Sequence, residues 1–221
     1  FNSQYDSWRN NSEDRWKNRY MGLKAIGQFQ SVEDLNNSPV QDGKQNSTLR
    51  PGDIKFEDFN GDGVINTQDH QPLGRGTQPE LNYGLGMNGG WKNFLVSMNW
   101  QGSANFVVEM QHFLVQPFAN AMNTYAYFMD RWHHADPFDP TSEWIPGKYP
   151  TTINDGNPNN RQFSSFWLKN ASYLRLKSLN ISYELKNDFL RRNGIERVMF
   201  SLSGQNLITI TGLEYMDPET P

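Results

Sequence analysis

Four stretches of the chain alternate apolar with polar or small residues and contain no proline, the period of a β-strand with two unlike faces. They cover residues 81–88, 92–101, 172–185 and 196–208, to within a few positions at each end. The first sets Leu81, Tyr83, Leu85 and Met87 against Asn82, Gly84, Gly86 and Asn88. The second sets Phe94, Val96, Met98 and Trp100 against Asn93, Ser97, Asn99 and Gln101, with Leu95 out of phase. The third opposes Leu179, Ile181, Tyr183 and Leu185 to Ser178, Asn180, Ser182 and Glu184. The fourth opposes Val198, Phe200 and Leu202 to Met199, Ser201, Ser203 and Gln205. A further strand is expected over 20–29.

The connections alternate in length. Gly89 and Gly90 predict a tight hairpin, 103–166 is a long excursion rich in Pro and Asn, and 186–195 is short again. Bacterial outer-membrane barrels have this asymmetry, which would put 30–80 and 103–166 outside the cell. A soluble antiparallel sandwich with one wet face generates the same alternation. Two details favour the barrel wall. The polar faces consist of Gly, Ser, Asn and Gln rather than Lys and Glu, and Trp91, Trp100, Trp167 and Tyr173 fall near the ends of runs, as girdle aromatics do.

Composition sharpens this picture. Aromatics reach 14% in a chain only 36% hydrophobic, which is poor material for a large dry core. No window approaches the roughly 18 apolar residues of a spanning helix, so a bilayer crossing would have to use strands. There is no cysteine for a disulfide or a thiolate metal site. A net charge of −4 without any long Lys/Arg run excludes nucleic-acid binding as a function class. Phe1 and the closing Asp217-Pro218-Glu219-Thr220-Pro221 read as cuts, so the chain is expected to be a fragment.

Residue-level motifs follow in order along the chain. Gly22–Gln30 reads GLKAIGQFQ, and Pro51-Gly52-Asp53-Ile54-Lys55-Phe56 leads into Asp58-Phe59-Asn60-Gly61-Asp62-Gly63-Val64-Ile65-Asn66 and then Gly74. Arg131-Trp132 is answered by Lys148-Tyr149-Pro150. Ser165–Lys177 reads SFWLKNASYLRLK, and Gly204-Gln205-Asn206-Leu207 closes the series. Together they resemble SusC/RagA-type TonB-dependent outer-membrane transporters over about residues 20 to 218. The resemblance implies an all-β fold, the C-terminal part of a large transmembrane antiparallel β-barrel with long extracellular loops, in a barrel of about 22 strands with a plugged lumen. It also implies the bacterial outer membrane, import of a glycan or peptide, energy from TonB, and a SusD-like surface lipoprotein as lid. Plug, TonB-contacting segment and closing strand are not expected in this stretch. The alternative is a soluble calcium-stabilised β-sandwich that binds carbohydrate.

Asp58, Asn60, Asp62, Gly63, Ile65 and Asp69 occupy places 1, 3, 5, 6, 8 and 12 of an EF-hand-type loop. Calcium wants six to eight oxygens, so the expected ligands are Asp58, Asn60, Asp62, the Val64 carbonyl, Asn66 and Asp69. Asp69 is shorter than the bidentate Glu usual at the last place, as in dockerin-type loops. No helix is apparent before Asp58, which points to pinning a loop rather than signalling. The plain alternative is a set of solvated Asx turns.

Among the loop aromatics Phe113, Tyr125, Tyr127, Trp132 and Trp144 are candidates for contact with ligand or lid, since flat rings bind at low entropy cost. A small loop core is the competing use of the same rings. His133 and His134 lack metalloprotease spacing, and the carboxylate pairs Asp136/Asp139 and Glu13/Asp14 are not placed across a cleft by anything in the sequence. No catalysis is expected.

Overall fold

The computed structural model describes residues 19–110, 114–119, 123–153 and 157–219. In chain order they form strands β1 (Arg19–Gly22), β2 (Ala25–Gln28), β3 (Ile54–Phe56), β4 (Gln71–Arg75), β5 (Leu81–Trp91), β6 (Phe94–Ala104), β7 (Val107–Glu109), β8 (His133–His134), β9 (Trp144–Ile145), β10 (Leu168–Asn170), β11 (Tyr173–Leu185) and β12 (Val198–Thr211), with short helices α1 (Val32–Asn36) and α2 (Asp188–Arg192). Two compact units result. Of the described residues, those in 19–75 and 109–169 build one and those in 76–108 and 170–219 the other.

The second unit is an antiparallel sheet in the order β12-β11-β6-β5. Its register lines the apolar positions into rows. Trp91 pairs with Phe94, Phe94 with Tyr183, and Tyr183 with Phe200, so one row is aromatic on all four strands. Behind it come Gly89, Val96, Ile181 and Leu202; then Met87, Met98, Leu179 and Gly204; then Leu85, Trp100, Leu176 and Ile208; then Tyr83, Gly102, Leu174 and Ile210. Most of these side chains are uncovered, Leu85 being 57% and Leu202 73% exposed. Ten residue steps from Leu81 to Trp91, at about 3.4 Å each and tilted by about 40°, make a band roughly 26 Å tall, the height of a barrel's hydrocarbon belt.

A bulge keeps that face continuous. Leu174 and Leu176 have the opposite parity to Leu179, Ile181 and Tyr183, so an unbroken strand would turn two leucines onto the polar face. Lys177 is the extra residue: Leu176 pairs with Trp100 and Ser178 with Asn99. On the other side Leu176 pairs with Ile208 and Ser178 with Gln205, leaving Asn206 and Leu207 between them, with Asn206 at φ 52°. Leu207 folds over Gly204, where a Cβ would stand 2.8 Å from its methyls. Likewise the Tyr83 ring covers Gly102, where a Cβ would come within 2.4 Å of it, and the Tyr83 hydroxyl donates to Tyr173 O at 2.8 Å.

Small polar residues bond across the opposite face. Ser103 Oγ donates to Asn82 Oδ1 (2.7 Å) and Asn99 Nδ2 to Ser178 Oγ (3.0 Å), and Ser182 and Ser201 share a hydrogen bond. At one end of this face Arg175 meets Asp217 and Glu219, each at 2.7 Å, and Leu213 joins Phe106, Val108, Ala171 and Tyr173 in a small core.

In the first unit β1 pairs with β4, β2 with β3, and β8 with β9. Ser31 caps α1 by accepting from Asp34 N, and Leu35 of that helix packs with Phe29 and Leu49. Phe56, Tyr127, Phe128, Trp132, Tyr149 and Trp167 are also buried.

Several expectations need correction. Gly89 and Gly90 are not the turn: they pair with Val96 and Leu95, and Lys92-Asn93 make the hairpin, with Lys92 at φ 52°. The strand expected over 20–29 is split into β1 and β2, which take different partners. Trp167 and Tyr173 are buried rather than girdle residues, whereas Trp91 is 69% exposed. A helix does precede Asp58, but α1 ends at Asn36 and does not abut the loop.

Candidate functional site

The first unit is organised around a buried carboxylate. Gly52 takes φ 90°, and any Cβ there would fall 2.3 Å from Trp132 Cβ, so this position is closed to other residues and the Trp132 ring seals it. The next residue, Asp53, is fully buried. Its carboxylate accepts from Thr151 Oγ1 (2.8 Å), Asn157 Nδ2 (2.8 Å), Asn160 Nδ2 (2.7 Å) and Arg50 N (2.9 Å). Asn160 in turn accepts from Ile54 N through Oδ1 and from Trp167 Nε1 through its carbonyl. Gln41 and Asn159 both donate to Ile54 O. Burial pushes the Asp53 carboxyl above the usual carboxylate range, while the donors around it pull the other way. The PGDIK motif therefore ties two stretches far apart in sequence into one body.

Two clefts open on this body. One of about 500 Å³ is lined by amides and a single charge of each sign, among them Gln41, Asp42, Lys44, Asn159 and Gln162. Hydrogen bonds from Thr48 N and Oγ1, Lys44 N and Asn46 N outweigh the burial of Asp42 and hold its carboxyl down at about 2. The other, about 280 Å³, is lined by Arg50, Arg131, Trp132, His133, His134, Trp144 and Thr152 among others, with no acidic side chain among the described residues of its wall.

The aromatic candidates divide between core and cleft. Tyr127 is buried, its hydroxyl donates to Leu114 O, and its ring packs on Phe128 and Tyr149. Trp132 is buried as well and donates from Nε1 to Gln28 Oε1 at 3.2 Å. Tyr125 is exposed and stacks on Tyr127 at 5.7 Å, and Trp144 lies 3.8 Å from the His134 ring. Phe113 lies outside the described residues, as do Glu13 and Asp14. His133 and His134 bond through Nδ1 to the carbonyls of Arg131 (2.8 Å) and Ser142 (2.9 Å), so in the neutral rings Nε2 is the acceptor. Asp136 and Asp139 accept from backbone N–H groups of their own turn, at Phe138 and Thr141.

The Asp58–Asp69 loop closes on its own backbone. Asp58 accepts from Gly61 N and Gly63 N, Asn60 from Asp62 N, Asp62 from Val64 N, and Asn66 from Gln68 N. Asp69 is fully buried and takes Phe59 N and Asn60 N on Oδ1 and Asn66 N on Oδ2. Among the described residues no three acidic, His or Cys side chains converge as a metal cluster. The oxygens of the template are present in the right order, but in this arrangement amide donors fill the centre, Asn60 Nδ2 donating to Asp62 Oδ2. An ion would have to displace that contact.

The Arg50–Trp144 cleft and the Asp53 tie had no chemical signature in the sequence, because they join residues about 100 positions apart. The paired motifs at 51–56 and 131–150 were the available signal.

No family model matches the chain. It is 28% identical over 201 residues to TonB-dependent receptor P3 of Formosa agariphila, 89% of this chain and 19% of that receptor. TonB-dependent receptor P26 of the same organism is 28% identical over 204 residues, 90% and 19% respectively. The chain thus spans about a fifth of the length of these relatives. Its fold is shared with a solved RagAB peptide transporter at TM-score 0.62 and 16% identity, over 93% of this chain and 20% of that one. The RagAB peptide importer in its open-open state gives 0.59 and 16%, over 91% and 20%. Along nine-tenths of its length the chain is thus similar in sequence to TonB-dependent receptors, and it shares its all-β fold with solved RagAB importers.

Proposed function

We propose that the protein of which this chain is a segment imports an oligomeric nutrient, glycan or peptide, across the bacterial outer membrane. Energy comes from TonB, and a SusD-like surface lipoprotein closes the mouth. The β5, β6, β11 and β12 sheet is barrel wall, and the unit tied by Asp53 is folded extracellular loop.

One observation carries this reading: the apolar rows from Leu81 to Ile210 keep one continuous face, mostly uncovered although Leu176 is buried, through a double bulge and end on an aromatic row. Exposing such a face to water costs about 25 cal/mol per Å² of apolar area, whereas hydrocarbon accepts it without penalty. A soluble sandwich needs a second sheet over those side chains, and their exposure argues against it. Nothing in the site has the geometry of catalysis, and the relatives are receptors rather than enzymes.

The Asp58–Asp69 loop is, in this reading, a structural calcium site formed by Asp58, Asn60, Asp62, the Val64 carbonyl, Asn66 and Asp69. Calorimetry with calcium should give heat that is lost in Asp62→Ala; a silent titration of the parent ends that part. Import is tested by uptake of labelled oligopeptides and oligosaccharides into cells carrying the full-length transporter. Uptake should vanish when TonB is deleted, and uptake indifferent to TonB refutes the reading.

A further inference from the structure

The 280 Å³ cleft has the chemistry of a carboxylate receptor, and we infer that it takes the C-terminal carboxylate of a peptide. This rests on the import reading and names the substrate class within it. Arg50, Arg131, His133 and His134 all line the space, and among the described residues no acidic side chain does. Of the acids that interact with these groups, Asp53 faces Arg50 but is buried and already holds four donors, and Asp139 faces His134 but also accepts from its own turn; Asp130, the chain neighbour of Arg131, accepts from Lys148 N. Arg131 spends one N–H on Phe128 O, at 3.2 Å, and keeps the rest of its fork. A guanidinium fork matches the two oxygens of a carboxylate, and the charge on both partners makes that bond stronger than a neutral one.

The shape of the charge selects a chain end over an acidic polymer. A glycan carrying a charge on successive sugars needs cationic groups repeated along its path. Among the described residues the 500 Å³ cleft offers one lysine and one aspartate, which cancel, and otherwise amides, Thr48, Ile153 and Pro158. The positive charge is focused in a space that fits about one residue, with Trp144 and Trp132 as an apolar wall for its side chain.

The test uses the full-length transporter in detergent and follows tryptophan fluorescence and heat on titration with Ala-Ala-Phe as free acid, the same peptide as C-terminal amide, and glucuronate. The free acid should bind at least about tenfold tighter than the amide, the usual effect of losing a charge-assisted hydrogen bond, and Arg131→Gln should erase that difference. Arg50→Gln should do the same, and Arg131→Lys should restore part of it, which a variant that merely misfolds would not. Equal binding of acid and amide overturns the inference, and so does glucuronate binding without peptide binding. Uptake separates the two levels. If Arg131→Gln leaves TonB-dependent uptake and the acid-over-amide preference unchanged, the cleft assignment fails while import stands; if the parent prefers the acid yet nothing is taken up, import fails and the cleft stands.

Discussion

Replacing Asp53 with alanine removes the acceptor at the centre of the loop unit. Thr151, Asn157 and Asn160, all buried, then lose their partner, together with the backbone N–H of Arg50. Each buried donor left unsatisfied costs about 1–3 kcal/mol, and water entering the vacated volume recovers part of it. The net loss is about 3–5 kcal/mol, a large share of the roughly 5–15 kcal/mol that holds a domain together. Asp53→Asn keeps the shape but turns an amide toward two of the donors, so it should cost about half as much. Hydrogen exchange on the full-length transporter is the assay. Amides at Ile54 and Trp167 report directly, since the first donates to the Asn160 side chain and the second belongs to the residue whose indole donates to the Asn160 carbonyl. Protection should fall at both in Asp53→Ala while β5, β6, β11 and β12 keep theirs. A change below about 0.5 kcal/mol in the alanine variant would falsify the idea that this carboxylate joins the two stretches.

Three further outcomes are expected. Burial raises the Asp53 pKa, so the native state binds a proton more readily than the unfolded chain; its contribution to loop stability is greatest below about pH 4 and declines as pH rises toward the folded pKa, a slope that Asp53→Asn should abolish in pH-dependent melts. Asp42 has the opposite sign: with its carboxyl held at about 2, it stabilises the 42–48 turn above about pH 4 and loses that effect as pH falls toward 2, so pepsin cutting there should rise across that window and be flat in Asp42→Asn. Gly102→Ala should expel the Tyr83 ring and destabilise the sheet by about 1–3 kcal/mol in urea unfolding, and Tyr83→Ala should relieve only part of that cost in the double variant, because the new Cβ would still stand 2.5 Å from Tyr173 O.

The sheet was legible because a membrane-facing strand obeys a period of two, and Leu81, Phe94, Ile181 and Phe200 fell on the faces that the alternation assigned. What alternation could not supply was the break at Lys177, where Leu174 and Leu176 change parity; the shift is written in the sequence but means a bulge only once the neighbours' register is known. The hairpin lies three residues beyond Gly89-Gly90, which look like a turn but serve as small members of a paired strand, and Lys92 accepts the positive φ instead. In the loops, PGDIK and the Arg131-Trp132 block marked what mattered without saying why. Gly52 is reserved by the Trp132 ring and Asp53 by three side-chain donors drawn from residues 151–160, long-range contacts that no local pattern encodes. Tyr127 and Trp132 have the chemistry of ligand contacts and the burial of a core, a distinction set by packing alone.

The sheet's orientation can be read directly by spin-labelling single cysteines, introduced one at a time into this cysteine-free segment of the full-length protein in lipid, with any cysteine elsewhere in that protein replaced. Labels at Leu85, Val96, Ile181 and Leu202 should meet oxygen dissolved in hydrocarbon and be shielded from a water-soluble nickel complex, with the reverse at Gly84, Ser97, Ser182 and Ser201 and a change of phase across Lys177. Labels at the first four positions shielded from both reagents, as in the interior of a sandwich, or open to nickel, would contradict the membrane wall.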